Sequence, residues 1–146
     1  MSLHAESMYE ISLTEGLGPV KFGMSPGIVK SLLGSELCYE DWMGGNLENF
    51  LYYKGLLIGF CGEIDDHPTD SSLVCMFLVK TSHPLSLWGQ KISNAKMEDI
   101  ESLLKVKAIK CKLLQSGVLQ CVDQELQFLF DSDGHLDEVY FAFKYS

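Results

Sequence analysis

The 146-residue chain contains no arginine: all eleven basic side chains are lysines, set against 20 acids for a net charge of −9. Arginine is the forked donor most used against phosphates, carboxylates and base edges. Its absence from so acidic a chain argues against nucleic acid as a partner and leaves a basic protein as the charged partner that fits. Long hydrophobic runs are also missing. The longest, GLLIGF and SLVCMFLV, are far too short to span a bilayer, and MSLHAESMYEISL lacks the basic end and apolar centre of a signal peptide. Five cysteines are present but no CxxC pair, so a zinc site lacks its usual ligand spacing. Their odd number, inside alternating stretches, predicts free, largely structural thiols and a cytoplasmic location. Low-complexity tracts are absent and 47% of the residues are hydrophobic, which predicts one folded domain over residues 1–146.

The most patterned segment is GLGPVKFGMSPGIVKSLLG, residues 16–34. Its glycines do not make a phosphate loop. Pro26 has no N–H to offer, and no lysine follows the glycines at the required place. A short helix explains the segment instead. Ser25 is a good N-cap, Pro26 suits the first helical position, and Gly34 can end the helix at positive φ. Met24 and Val29 take the staple positions, while Ile28, Val29, Leu32 and Leu33 form an apolar stripe.

The second half reads similarly. KISNAKMEDIESLLK (91–105) predicts a helix capped by Asn94, with Met97, Ile100, Leu103 and Leu104 on one face. A shift of about 70 residues lays KSLLG on ESLLK, pairs Cys38 with Cys111, and sets Gly44–Gly45 against Ser116–Gly117. The fold expected is α+β: two tandem helix-plus-four-strand repeats, about 16–80 and 85–146. They would form one mainly antiparallel sheet with both helices on one face.

Strand parity sharpens this expectation. A hairpin turning at Lys54–Gly55 pairs Tyr53 with Leu56, Tyr52 with Leu57 and Leu51 with Ile58. Its counterpart turns at Asp123–Gln124 and pairs Cys121 with Leu126 and Leu119 with Phe128. One face then carries Leu56, Ile58, Phe60, Leu126, Phe128, Phe130, Val139, Phe141 and Phe143, which should lie under the helices. The opposite face is polar in the second half, with Gln120, Glu125 and Gln127. In the first half it carries Phe50, Tyr52 and Leu57. Either the segment YEISL or a loop covers these groups, or they form an exposed aromatic patch of the kind that marks an interaction site.

Other candidates for chemistry are weaker. GEIDDHPTD (62–70) gathers acids in what reads as a loop, but without the spacing of a calcium loop. DSDGH (131–135) is explained by a hairpin turn. His67 and His83 each precede a proline, with no nucleophile or acid at a telling spacing. Trp42 and Trp88 read as partial core. No metal, cofactor or catalytic residue is expected.

The segment 16–34 resembles the opening of small bacterial proteins that include toxin-immunity-like members. Its GMS…V..LLG core is also similar to the helical start of modules in β-lactamase inhibitory protein and small outer-membrane assembly lipoproteins. In the inhibitory protein, two tandem helix-plus-sheet repeats make one long antiparallel sheet with a protein-binding face. The resemblance implies protein binding rather than catalysis and assigns no individual binding residue. Those relatives are exported, and this sequence shows no export signal. The leading expectation is therefore a non-catalytic protein-binding domain, an immunity protein for a basic toxin. It would use Phe50, Tyr52 and Leu57 with Asp65, Asp66 and Asp70. Two alternatives stand beside it: a small enzyme or ligand-binding module with a pocket between helices and sheet, and a self-associating domain that dimerises through the aromatic face.

Overall fold

The computed structural model describes residues 9–34, 50–53, 55–64 and 68–143. The first half contributes β1 (Tyr9–Ser12), β2 (Gly16–Leu17), β3 (Val20–Lys21), α1 (Pro26–Leu33), β4 (Phe50–Tyr53), β5 (Leu56–Ile64) and β6 (Pro68–Lys80). The second contributes β7 (Leu85–Leu87), β8 (Gln90–Lys91), α2 (Met97–Val106), β9 (Cys111–Leu113), β10 (Val118–Cys121), β11 (Leu126–Phe130) and β12 (Leu136–Ala142). Cys38, Trp42 and the Gly44–Gly45 turn lie outside the described residues.

The strands divide into two sheets, which overturns the expected α+β arrangement of one sheet with both helices on one face. One sheet has five strands in the order β3-β2-β1-β7-β8, and the other has seven in the order β4-β5-β6-β12-β11-β10-β9. The difference arises in the segments that lead into the helices. Leu17 and Val20 pair across a tight Gly18–Pro19 turn, and Leu87 and Gln90 pair across Trp88–Gly89. Both hairpins then join β1, antiparallel to β2 and parallel to β7, so Ile11 sits between Leu17 and Leu87. YEISL is thus a central strand of the small sheet, and its Tyr9 and Ile11 belong to the main core.

The two hairpin turns share a backbone conformation but not a residue type. Gly18 has φ +54° and Trp88 has φ +52°. At Gly18 a Cβ would meet the Tyr9 ring at 3.0 Å, so glycine spares that ring a tight contact. At Trp88 the left-handed backbone is held by Glu10, whose carboxylate accepts from Gly89 N at 3.3 Å and Ser86 Oγ at 2.5 Å. The Lys107 ammonium lies 5.6 Å from the centre of the Trp88 ring, a cation–π contact.

Helix α1 forms as its residues dictate. The Ser25 hydroxyl accepts from Ile28 N, Pro26 stands at the first turn, and Gly34, at φ +88°, donates to Lys30 O at 2.8 Å. Helix α2 is capped differently from the expectation. Its N-cap is Lys96 rather than Asn94. A lysine ammonium cannot accept a hydrogen bond, so the end is closed from inside, with Asp99 Oδ2 accepting from Lys96 N at 3.0 Å. Glu98 and Asp99 also place negative charge at the positive end of the helix dipole.

A single buried cluster unites the elements. Val29 and Leu33 of α1 and Ile100 and Leu104 of α2 join Leu56, Ile58, Phe60, Phe77, Val79, Leu126, Phe128, Val139 and Phe141. Phe22 bridges the layers, with its ring 5.5 Å from Phe77 and 5.4 Å from Phe143, while Phe77 stacks on Phe141 at 5.1 Å. Backbone bonds repeat the tie in each half. Val74 N donates to Met24 O at 2.9 Å, and Leu136 N donates to Ala95 O at 2.8 Å.

Candidate functional site

Both hairpins of the large sheet have the register that their alternation requires. Phe50 opposes Gly59, Tyr52 opposes Leu57 and Tyr53 opposes Leu56. In the second half Leu119 opposes Phe128, and Gln120 opposes Gln127. With β6 paired to β12, one continuous row runs across the face turned away from the core. It passes Tyr52, Leu57, Leu78, Tyr140, Gln127, Gln120 and Lys112 in turn. A neighbouring row sets Met76 beside Gly59 and Ala142. None of the described residues of these two rows belongs to the core cluster.

Leu78, Met76, Tyr140 and Ala142 are half-buried at the centre of this face, with Gln120 and Gln127 half-buried and Glu125 exposed beyond them. Burial, then the Glu125 carboxylate and Cys75, raise the Tyr140 phenol above its ordinary value. Glu138 ion-pairs with Lys80 at 2.7 Å along one margin. Leu57 is only 2% exposed, so its side chain is already covered and offers no open surface of its own. Phe50 and Tyr52 are placed by strand register, and their side chains lie outside the described residues.

The acidic segment departs from its expected form. Gly62 pairs with Ser72 and Ile64 with Pro68, so β5 and β6 extend through most of what read as a loop over 62–70. Asp70 is a strand residue of β6, and its side chain is outside the described residues. Asp65, Asp66 and His67 are outside them altogether. The structure therefore brings Tyr52 and Leu57 into one row.

Sequence reasoning missed Met76, Leu78 and Tyr140. The signal was available in SSLVCMFLV, where an unbroken apolar run places apolar groups on both faces of a strand. DSDGH is spent on its turn: Asp131 Oδ1 accepts from Asp133 N at 2.9 Å and His135 N at 3.0 Å. Among the described residues no three His, Cys, Asp or Glu side chains cluster as metal ligands would. Described residues line at least two open clefts. One, of about 340 Å³, lies between β8 and α2, with Ile92, Ile100 and Leu103 in its lining. The other, of about 530 Å³, lies along β1, with Glu10, Trp88 and Ile109 in its lining. Neither lining contains histidine or cysteine. No helix among the described residues is long and apolar enough to cross a membrane.

No protein-family model, curated protein or solved structure matches this chain.

Proposed function

We propose that this protein is a non-catalytic binding domain that holds another protein on the outer face of its seven-stranded sheet. The observation that carries the reading is the group Leu78, Tyr140, Met76 and Ala142, half-buried at the centre of this face and outside the core cluster. Half-buried apolar groups beside a polar margin supply desolvated contact at the centre of an interface and steering at its rim. A net charge of −9 selects a basic partner. The role that fits this surface and the resemblance of residues 16–34 is neutralisation of a basic toxin in the cytoplasm. We also read the two halves as diverged copies, about 16–80 and 85–146. The mirrored strand order and the matched Val74–Met24 and Leu136–Ala95 bonds support that reading.

The test measures binding kinetics against basic proteins encoded beside this gene. Tyr140→Ala and Tyr52→Ala should each weaken binding by about 1–3 kcal/mol, mainly through faster dissociation. Reversing Asp65, Asp66 and Asp70 together should slow association and flatten its salt dependence while leaving dissociation nearly unchanged. Tight binding that survives both aromatic truncations would remove the sheet face from the interface.

A further inference from the structure

We propose that Cys111 and Cys121 are a covalent modification site, closing to an intrachain disulfide across β9 and β10 when the protein meets an oxidised thiol pool. The two residues are direct cross-strand partners. Their position in the ladder follows from its hydrogen bonds. Val122 N donates to Lys110 O at 2.9 Å and Leu114 N donates to Val118 O at 2.8 Å, so those pairs are the hydrogen-bonded ones. The alternation makes Cys111–Cys121 a non-hydrogen-bonded pair, in which the Cα atoms stand about 4.5 Å apart and the side chains are closest. That separation lies within the range a disulfide spans, roughly 4.4–6.8 Å between Cα atoms.

The thiols differ in access. Cys111 is half-buried and packs against the core, whereas Cys121 is 1% exposed. Burial and the neighbouring Cys111 push the Cys121 thiol up to about 12, and burial and Glu101 raise Cys111. Both are therefore protonated at neutral pH, and closure begins at the accessible sulfur. With oxidised glutathione, the Cys111 thiolate attacks one sulfur and releases the first glutathione thiolate. The Cys121 thiolate then attacks the Cys111 sulfur and releases the second. The protein gives up two protons and two electrons, and two reduced glutathiones leave. Because only the thiolate reacts, the rate should rise steadily with pH from 7 to 9.

The other described thiols, Cys61 and Cys75, are not direct ladder partners. Cys61 opposes Leu73, while Cys75 falls at a register shift, although the Cys61 and Cys75 side chains hydrogen-bond. Closing Cys111–Cys121 instead fastens β9, at the edge of the large sheet among the described strands, to β10.

The experiment incubates the reduced full chain with oxidised glutathione at pH 7, 8 and 9, then blocks remaining thiols under denaturing conditions. Trypsin cuts after Lys112, which separates the two cysteines into different peptides. The expected result is a disulfide, cleaved by reductant, between the Cys111–Lys112 dipeptide and the peptide containing Cys121. It should be absent in Cys111→Ser and Cys121→Ala, with a melting temperature raised by several degrees in the linked protein. Cys111→Ser, at the half-buried position, carries the control if Cys121→Ala fails to fold. Five blocked thiols at every pH, stable glutathione adducts without a link, or a link joining Cys61 to Cys75 alone would overturn the proposal.

Discussion

Ala108 is an alanine in a position built for glycine. It is exposed, and its φ is +58° just beyond the end of α2. The surrounding bonds form a Schellman motif: Ile109 N donates to Leu104 O at 2.9 Å and Ala108 N donates to Lys105 O at 3.0 Å. The left-handed backbone costs a residue with a Cβ roughly 1–2 kcal/mol. Glycine avoids that cost but loses about 0.5–1 kcal/mol more conformational entropy on folding. Ala108→Gly should therefore stabilise the protein by about 0.5–1 kcal/mol. Gly34, after α1, supplies the mirror experiment. Its φ of +88° and ψ of −170° lie in a region nearly confined to glycine, and an added Cβ would meet none of the described residues within 4 Å. Gly34→Ala should cost about 1–3 kcal/mol through the backbone alone. Urea unfolding measures both. The midpoint should move up for Ala108→Gly and down for Gly34→Ala, with unchanged m-values. Destabilisation by Ala108→Gly, or shifts of the same sign in both variants, would refute the backbone argument.

Other consequences can be measured in the same way. Phe77→Ala removes the ring that stacks on Phe141 and meets Phe22, and should cost about 3–5 kcal/mol in a urea titration; a loss under 1 kcal/mol would mean the cluster repacks freely. Tyr53→Phe deletes a 2.8 Å bond from the phenol to Gly34 O that ties β4 to the end of α1, and should cost about 1 kcal/mol. Burial pushes both the Cys75 and Cys121 thiols up to about 12, well above an ordinary thiol. The native state keeps these protons while the unfolded chain releases them, so this stabilisation is complete below pH 9 and declines as pH rises toward 12. Unfolding at pH 8, 9.5 and 10.5 should show the decline, and Cys121→Ala should make it shallower; equal slopes in the two proteins would exclude Cys121 as a source.

Much of the large sheet was legible because its strands alternate and its turns are short. Tyr53–Leu56 and Leu119–Phe128 follow from turn position and side-chain parity alone. Helix α1 was legible from three local signals in a row, Ser25, Pro26 and Gly34. The small sheet was not. Strands such as Gly16–Leu17 and Gln90–Lys91 hold two residues each and have no period to detect. Their organising contact, Tyr9 beside Leu85, is parallel and joins distant parts of the chain. The cap of α2 was misplaced because Asn94 has the usual capping chemistry, whereas Lys96 has none and depends on Asp99. The acidic segment read as a loop because Asp and Pro disfavour strands in general, yet Ile64 and Pro68 pair across it.

The difference between the halves bears most directly on the binding reading. The strand order of the large sheet mirrors about the β6–β12 contact, and Leu78 and Tyr140 face each other there. From that centre the outer row becomes apolar and aromatic toward β4, through Leu57 and Tyr52, and polar toward β9, through Gln127, Gln120 and Lys112. The inner face shows no such gradient, since Ile58 and Phe128 are both fully buried. Core packing therefore constrains both halves alike, while the outer face is free to differ. A sheet that needed only solubility would have no reason to keep an apolar row on one side of its centre. The proposed binding role would supply that reason: the apolar half would provide desolvated contact and the polar half would limit the exposed apolar area to a patch of defined extent. Specificity would then reside in the first half, with the second acting chiefly as its structural support.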